Sequence, residues 1–309
     1  MVSNKIKKLK KIFVGPSSFA EFDNYPLEIL EKNNFQIISN PFKRKLTDKE
    51  LKEILRKDVI GTIAGLESYN KNTLNKSSVK AISRVGSGID NIDFDYVNKN
   101  NIKLFRTEDG PTEAVAELTI SMMVNLVRQS FVMVNDMKNK VWKRQTGFEI
   151  KNKNIVIIGY GKIGQRVSEI LSTFCNKIHI VDPYNKSKKF NNITFEESLG
   201  IGEIFTLHTN SKNTFFNIED LKKVKNNIYI LNSSRGHNLD EESISYGIQN
   251  NLIHGVWIDV YNDEPYKTGK YFNNDKIILT PHTASFTVES RVKMEVDAVL
   301  NLVEYLNEA

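Results

Sequence analysis

The chain has 309 residues, with 43 Lys plus Arg against 37 Asp plus Glu and a formal net charge of +6 at pH 7. This length favours two domains over one, and the 40% hydrophobic and 10% aromatic content excludes a disordered chain. The one cysteine, Cys175, excludes an internal disulfide and a cysteine-based zinc site.

The N-terminus is basic, but its lysines run into an apolar segment at 12–14 that is too short for a secretory signal. We therefore expect a cytoplasmic protein. The net positive charge is compatible with a nucleic acid as a partner. However, the lysines are scattered along the chain, and no helix combines basic residues with aromatic residues that could stack on bases. We expect neither a nucleic acid nor a membrane as a partner, and a net positive field suits a small anionic substrate.

The first hundred residues alternate short apolar runs with helical segments, which is typical of α/β domains. The last apolar run stops at Gly86-Ser87-Gly88, and open parallel sheets place their ligands at this end of their strands. Strands are predicted at 11–14, 35–39, 59–64 and 81–85, and helices at 25–32 and 47–56.

Residues 112–138 contain neither Gly nor Pro, and Leu118 to Val127 carries no charge. We predict one long buried helix here. A membrane span needs about 20 apolar residues, so the short uncharged stretch, which includes Asn125, disfavours that alternative. We expect the apolar surface of the helix to pack between domains or between subunits.

The second half of the chain repeats the alternation of strands and helices, which predicts a doubly wound parallel sheet. Its strands are predicted at 155–158, 178–181, 204–207, 228–232, 255–258 and 277–279. No grouping of His, Asp and Glu has the spacing of metal ligands, so we predict no metal.

A glycine-rich GxGxxG turn, GYGKIG, follows the strand at 155–158. Gly159 allows the tight turn, Gly161 lets a pyrophosphate approach the backbone, and Gly164 lets the following helix pack on the strand. Asp182 ends the next strand about 20 positions later, where a carboxylate bonds the ribose hydroxyls of a dinucleotide. Together these residues predict a dinucleotide site.

The type of dinucleotide is also indicated by Asp182, because a carboxylate there would repel the 2′-phosphate of NADP. NAD is therefore favoured. The nearby Lys186, Lys188 and Lys189 leave NADP open, since a lysine on this loop can approach such a phosphate.

Three later strand ends each present polar groups: the guanidinium of Arg235, the carboxylates of Asp259 and Glu264, and the imidazole of His282. The ends of strands in one parallel sheet converge on one crevice. Reduction of a ketone by hydride needs an acid such as histidine, a carboxylate raises the pKa of that histidine, and arginine grips a planar carboxylate. Each residue alone has a structural explanation, but the set favours catalysis.

With these residues in place, the sequence resembles the D-isomer-specific 2-hydroxyacid dehydrogenases over nearly the whole chain. The resemblance implies an α/β fold of two doubly wound parallel-sheet domains, a Rossmann NAD-binding domain at 110–284 and a flavodoxin-like substrate domain at 1–109 plus 285–309. It also implies a homodimer. It rests on RVGSGIDNID (84–93), PTEAVAELT (111–119), GYGKIG (159–164), SSRG (233–236), WIDVYNDEP (257–265) and TPHTA (280–284).

The resemblance implies roles for the candidate residues. Arg235 would hold the substrate carboxylate, His282 would be the general acid and base, and Glu264 would pair with His282. The substrate loop would present its backbone N–H groups to the carboxylate, and the cofactor would meet a second set of residues. The loop residues are Val85, Gly86 and Ser87, and the cofactor residues are Gly159, Gly161, Lys162, Ile163, Gly164, Asp182, Ser233, Asp259 at the carboxamide and Thr112 near the nicotinamide.

The implied activity is NAD-dependent hydride transfer between nicotinamide and a small D-2-hydroxy acid or its 2-keto partner, with 3-phosphoglycerate and glycerate/hydroxypyruvate as candidates. The alternative is an NAD(H)-sensing or corepressor-like protein of the same fold without significant turnover. The segment 109–112 is similar to a phosphoglycerate-dehydrogenase-like subgroup, here expected to lack the C-terminal regulatory domain. The sequence departs from the family at Thr209-Asn210-Ser211, and we expect specificity to come from first-domain loops such as 68–73.

Overall fold

The computed structural model describes residues 9–272 and 274–308. The chain divides into two compact units, which we call unit 1 (Met1–Pro111 and Phe286–Ala309) and unit 2 (Thr112–Ser285). Most of the basic N-terminal segment, including Lys5, Lys7 and Lys8, lies outside the described residues. Within residues 9–272 and 274–308, every helix is too short or too polar to cross a membrane.

Unit 1 is built on five parallel strands in the order β2-β1-β3-β4-β5. This order is the flavodoxin-like arrangement, in which the strand order reverses between β1 and β3. The strands are β1 (Lys10–Val14), β2 (Phe35–Ser39), β3 (Val59–Ala64), β4 (Ala81–Arg84) and β5 (Lys103–Arg106). The helices between them are α1 (Tyr25–Lys32), α2 (Asp48–Leu55), α3 (Lys71–Leu74) and α4 (Phe94–Lys99).

Helix α2 illustrates how local sequence sets an element boundary. Thr47 accepts a hydrogen bond from the Glu50 N–H while the Glu50 carboxylate accepts one from the Thr47 N–H, which forms a capping box. Leu51, Ile54 and Leu55 are buried, because spacings of three and four residues place them on one face. The capping box starts the helix one residue later than predicted.

Unit 2 begins with two helices and continues with seven parallel strands in the order β12-β11-β10-β9-β6-β7-β8. This extends the Rossmann order by one strand. The strands are β6 (Asn154–Ile158), β7 (Lys177–Val181), β8 (Asn191–Asn192), β9 (Ile204–Leu207), β10 (Ile228–Asn232), β11 (Ile253–Ile258) and β12 (Ile277–Leu279). The helices are α5 (Thr112–Arg128), α6 (Ser130–Lys138), α7 (Lys162–Leu171), α8 (Phe195–Leu199), α9 (Ile218–Leu221) and α10 (Glu241–Gln249).

The predicted fold class, two doubly wound parallel sheets, is confirmed. Apolar clusters cover both faces of each sheet, as fully parallel sheets require. In unit 2, Phe205 and Trp257 are fully buried on opposite faces. In unit 1, one face is covered by the last helix, α11 (Val288–Glu308), which packs on α1, β3 and β4.

The prediction of a single helix over 112–138 is wrong. Gln129 adopts a left-handed backbone conformation with φ 53°, which ends α5 and separates it from α6. The apolar face of α5 packs on α7, β10 and β11, so it belongs to the core of unit 2. Helix α6 has no buried residue. The uncharged stretch correctly indicated burial but carried no sign of the break at one residue.

Candidate active site

The turn between β6 and α7 is closed at two glycines and open at the third. Gly159 has φ +95°, and a Cβ there would overlap the His208 carbonyl group. A Cβ at Gly164 would overlap the Gly159 carbonyl oxygen, so the helix packs directly on the turn. A Cβ at Gly161 would meet no atom within 4 Å. No side chain caps α7, so the first turn of the helix, which includes Ile163, presents its positive end at this open position.

Two buried hydroxyl groups in unit 2 fit a polar ligand. Thr112 Oγ1 and Ser233 Oγ are shielded from solvent and have no hydrogen-bond partner within the described chain. Buried polar atoms are rarely left unsatisfied in native proteins, so each hydroxyl is expected to bond a group that the chain itself does not supply. Both residues belong to the set predicted to line the cofactor cleft. The turn and these hydroxyls therefore fit a dinucleotide.

Asp182 follows β7 and is tied to the glycine-rich turn. Its carboxylate accepts hydrogen bonds from the backbone N–H groups of Tyr160 at 2.7 Å, Tyr184 at 2.8 Å and Asn185 at 2.7 Å. Desolvation raises the pKa of Asp182, but these donors outweigh it and hold the pKa below its ordinary value. Lys186 Nζ donates to the Asp182 carbonyl oxygen at 3.0 Å, so this lysine lies beside the carboxylate.

Arg235 lies on the loop that follows β10, and side-chain hydrogen bonds within this loop fix its conformation. Asn232 Nδ2 donates to the Arg235 carbonyl oxygen at 2.8 Å, and Asn232 Oδ1 accepts from the Ser234 N–H at 3.0 Å and from Ser234 Oγ at 2.8 Å. The Arg235 guanidinium donates to the Ser234 carbonyl oxygen at 2.7 Å. A Cβ at Gly236 would overlap the backbone of Tyr261. The Arg235 loop therefore lies directly against the segment that leads to Glu264.

His282 and Glu264 are paired. His282 Nδ1 lies 2.7 Å from Glu264 Oε2, and the Tyr261 N–H donates to Glu264 Oε1 at 3.1 Å. This hydrogen bond raises the pKa of His282 above its ordinary value, against the opposing effects of desolvation and the positive charge of Arg235. The His282 side chain is 48% exposed, so it remains open to a reactant. The three predicted catalytic side chains are thus brought to one edge of unit 2.

Asp259 anchors the loop that carries His282. It is fully buried, and its carboxylate accepts from Thr280 Oγ1 at 2.5 Å and from the N–H groups of Thr283 and Ala284, each at 2.9 Å. Trp257 Nε1 donates to Thr280 Oγ1 at 2.9 Å. The resemblance implies a bond between Asp259 and the nicotinamide carboxamide, whereas the bonds in the structure run to the His282 loop. Asp259 therefore has a positioning role that the sequence did not reveal.

Tyr261 is a second positioning residue that sequence reasoning missed. Its hydroxyl donates to the Thr280 carbonyl oxygen at 2.8 Å and lies 3.2 Å from the Ile258 carbonyl oxygen. Its ring stacks on Tyr266 with centroids 4.5 Å apart. Because its backbone N–H also holds Glu264, Tyr261 connects the two segments that carry the imidazole and its carboxylate partner. The available signal was a hydroxyl-bearing aromatic between Asp259 and Glu264.

The other histidines near this edge are bonded within the protein. His208 Nε2 lies 2.9 Å from Thr206 Oγ1, and desolvation lowers the pKa of His208 to about 3. His237 Nε2 lies 2.9 Å from the Ser211 carbonyl oxygen. In the part of the chain that the structure describes, no group of three or more His, Cys, Asp or Glu side chains is arranged to hold a metal ion.

The predicted substrate loop, Val85, Gly86 and Ser87, follows β4 in unit 1. The Val85 N–H donates to the Ala64 carbonyl oxygen at 3.0 Å, and the Gly86 N–H donates to Thr107 Oγ1 at 2.7 Å. Two of the three N–H groups expected to meet a carboxylate are thus bonded inside unit 1. The Ser87 N–H makes no hydrogen bond within residues 9–272 and 274–308.

Comparisons with known proteins find a matching family model and related dehydrogenases. A family model described as "D-isomer specific 2-hydroxyacid dehydrogenase, NAD binding domain" matches residues 120–284, which lie within unit 2. D-3-phosphoglycerate dehydrogenase from Bacillus subtilis is 29% identical over 279 residues, or 83% of this chain and 53% of that protein. Hydroxypyruvate reductase from Thermotoga maritima is 26% identical over 297 residues, or 90% of this chain and 96% of that protein.

The chain spans about half the length of the phosphoglycerate dehydrogenases of Bacillus subtilis and Synechocystis. Among solved structures, D-lactate dehydrogenase from Aquifex aeolicus, complexed with NAD and lactic acid, has a TM-score of 0.82 at 22% identity. The match covers 97% of this chain and 96% of that chain. At this identity the likeness shows the fold alone.

Proposed function

The chain belongs to the D-isomer specific 2-hydroxyacid dehydrogenase family and carries its NAD-binding domain, and from that membership we propose an NAD-dependent oxidoreductase. It transfers a hydride between nicotinamide and a small D-2-hydroxy acid or its 2-keto partner. The observation that supports this most is the paired His282 and Glu264 within electrostatic reach of Arg235, at the edge of a dinucleotide-binding sheet.

Each of the three side chains has a distinct role in the proposed reaction. The Arg235 guanidinium holds the substrate carboxylate and polarises the neighbouring carbonyl group. His282 donates a proton to the oxygen of the ketone during reduction and removes it during oxidation. Glu264 fixes the ring through Nδ1 and stabilises the imidazolium form, which leaves Nε2 for the substrate. Bound NAD supplies or accepts the hydride.

Unit 2 is proposed as the cofactor domain and unit 1 as the substrate domain. Backbone groups of the turn hold the pyrophosphate, Asp182 bonds the adenosine ribose, the Thr112 hydroxyl lies near the nicotinamide and the Ser233 hydroxyl lines the cofactor cleft. The resemblance adds Asp259 at the carboxamide and the backbone of the unit 1 loop at the substrate carboxylate. The turn comprises Gly159, Gly161, Lys162, Ile163 and Gly164, and the loop comprises Val85, Gly86 and Ser87.

The test is NADH oxidation, followed by absorbance, over a panel of 2-keto acids that includes glyoxylate, pyruvate and hydroxypyruvate. We expect turnover with at least one acid. Arg235→Ala and His282→Asn should each lower kcat/KM by about 10³-fold, because one loses the carboxylate contact and the other the proton donor. NADH affinity should stay within about twofold in Arg235→Ala, since the lost contact is to substrate.

Arg144→Ala provides a control, because this arginine is exposed elsewhere in unit 2. If the protein binds NADH but no acid of the panel oxidises it, the NAD(H)-sensing alternative is favoured over the enzyme. Full turnover in Arg235→Ala would contradict the assigned role of the guanidinium.

We also propose that the protein is a cytoplasmic homodimer that acts without a nucleic acid or membrane partner. Helix α6 supports the dimer, because Phe131, Val134 and Met137 are each more than half exposed and no residue of this helix is buried. Trp142, just beyond it, is 80% exposed. The mass in solution, measured by sedimentation equilibrium, should be twice that of the 35.4 kDa chain.

A further inference from the structure

Tyr160 joins the glycine-rich turn to the loop that follows β7. Its partly buried ring packs against the core of unit 2 on the side of α5 and α7. Its backbone N–H donates to Asp182 Oδ2 at 2.7 Å, and its hydroxyl oxygen lies 3.1 Å from Ser187 Oγ. One residue of the turn therefore contacts both ends of the segment 182–187. We call residues 183–190 the lysine loop, because they include Lys186, Lys188 and Lys189.

Ser187 is the point at which the lysine loop is attached to the rest of unit 2. It is 8% exposed, and its Oγ accepts hydrogen bonds from the backbone N–H groups of Lys189 at 3.1 Å and Phe190 at 2.9 Å. The Ser187 N–H donates to Asn192 Oδ1 at 2.8 Å, and Asn192 Nδ2 donates to the Ser187 carbonyl oxygen at 2.8 Å. The contact with Tyr160 adds a side-chain link from this anchor to the glycine-rich turn.

Two of the three lysines of the loop are bonded within unit 2. Lys186 Nζ donates to the Asp182 carbonyl oxygen at 3.0 Å. Lys189 Nζ donates to Ser172 Oγ at 3.2 Å, at the end of α7. In Rossmann sites a carboxylate bonds the ribose hydroxyls of NAD, whereas a nearby cation accommodates the 2′-phosphate of NADP. The position of the lysine loop therefore decides whether cations are available beside Asp182.

Given the cofactor role of unit 2 proposed above, we propose that the contact of Tyr160 with Ser187 makes the site selective for NAD over NADP, because it holds the lysine loop in this arrangement. A negatively charged 2′-phosphate beside the Asp182 carboxylate is repelled, since like charges oppose binding. Lys186 and Lys189 meanwhile keep their bonds to the protein. Without the contact the loop is less restrained, and its lysines can turn toward the phosphate.

The deciding measurement is the ratio of two dissociation constants, that of NADPH divided by that of NADH. Both are measured by fluorescence titration of the reduced dinucleotide in the absence of a keto acid. The two dinucleotides differ only in the 2′-phosphate, so the ratio isolates its effect. We expect a ratio of at least about ten in the unmodified protein. Equal affinities, or a preference for NADPH, overturn the proposal.

Tyr160→Phe assigns the preference to the contact, because it removes the hydroxyl and keeps the ring. We expect the ratio to fall about fivefold, which corresponds to the loss of one hydrogen bond that restrains the loop. Tyr246→Phe is the matched control, since it removes a hydroxyl from α10 of the same unit and should leave the ratio unchanged. An unchanged ratio in a folded Tyr160→Phe protein overturns the proposal.

The lysines themselves distinguish a change in loop position from general damage to the site. Lys186→Met, Lys188→Met and Lys189→Met together remove the cations of the loop. Added to Tyr160→Phe, they should restore the ratio to within about twofold of the unmodified protein, since the groups that attract the phosphate are gone. A ratio that stays low overturns the proposal, because the gain in NADPH binding would then not come from these lysines.

The absence of a keto acid separates failure of this inference from failure of the proposed function. A protein that oxidises NADH with none of the acids, but whose ratio falls in Tyr160→Phe, supports the inference and counts against the proposed turnover. A protein that turns over a keto acid, but whose ratio is the same in Tyr160→Phe, overturns the inference and leaves the proposed function in place. Absence of binding of either dinucleotide overturns both.

Discussion

The carboxyl edges of the two sheets differ in how their charged side chains are arranged. In unit 2, Glu264 and His282 pair at 2.7 Å while the imidazole stays half exposed. In unit 1, Glu67 is 2% exposed and its carboxylate accepts a hydrogen bond from the Gly65 N–H at 3.0 Å. Histidine in the first arrangement is available to exchange a proton, whereas the carboxylate in the second is shielded from any reactant.

From this difference we propose that unit 2 carries out the chemical step and that unit 1 contributes to substrate binding. In unit 2, Asp259 and Tyr261 form hydrogen bonds to the loop that carries His282, so under the proposed function altering these bonds should change the rate of the chemical step. In unit 1, we propose that the bonds of the loops, such as that from the Gly86 N–H to Thr107 Oγ1, shape the binding of the substrate. Three substitutions test the division, ordered by their expected effect on turnover.

Glu264→Gln should have the largest effect. We expect kcat/KM for reduction at neutral pH to fall about 10- to 100-fold, because the ring loses its charged partner. Reduction needs protonated His282, so activity is full below the pKa of His282 and is lost as pH rises through it. Removing the negative charge lowers that pKa, so the alkaline loss of activity should move to lower pH.

The pH profile of kcat/KM checks this prediction. Glu219→Gln is the matched control, because this glutamate forms an exposed ion pair with Lys222 on the same unit. A profile that stays in place or moves to higher pH would show that Glu264 does not set the pKa of the catalytic imidazole.

Tyr261→Phe should have an intermediate effect, because it removes one hydrogen bond behind the imidazole loop and keeps the stacked ring. Loss of a bond of this kind corresponds to about fivefold in rate. We expect kcat to fall about fivefold with an unchanged KM for NADH, measured by steady-state kinetics. Tyr246→Phe, a change of the same kind on α10, should leave kcat unaltered; equal losses in the two variants would refute a specific positioning role.

Thr107→Val should have the smallest effect on turnover. The Gly86 N–H would lose its acceptor, the hydroxyl of the buried Thr107, which should lower the free energy of unfolding by about 1–2 kcal/mol. We expect a lower melting temperature in thermal denaturation and a kcat within about twofold of the unmodified protein. A loss of kcat as large as that of Glu264→Gln would erase the distinction between the two edges.

The fold was predictable because its signals are local. Buried strands rich in β-branched residues, such as Val59–Ala64, are predicted at their observed bounds. The glycine-rich turn indicates a strand before it and a helix after it. The break at Gln129 was not predictable, because it depends on one residue of ordinary helix propensity adopting a left-handed backbone. The sequence therefore did not predict α6 as a separate, exposed helix.

The candidate site was predictable as a set of residue types but not as a set of bonds. Sequence order brought Arg235, Glu264 and His282 to strand ends, and parallel topology implied convergence. The bonds of Asp259 depend on a loop more than twenty residues away, and the burial of Glu67 depends on a glycine after β1. Such contacts arise from tertiary packing, which no local pattern encodes.

The two-part composition of unit 1 has a consequence for biosynthesis. Its sheet emerges from the ribosome first, yet the helix that covers one face of that sheet, α11, is translated only after all of unit 2. Until then the apolar surface awaiting Val299 and Leu302 stays uncovered in the nascent chain. Unit 2, by contrast, is continuous and can finish folding during translation, so the order of completion reverses the order of synthesis.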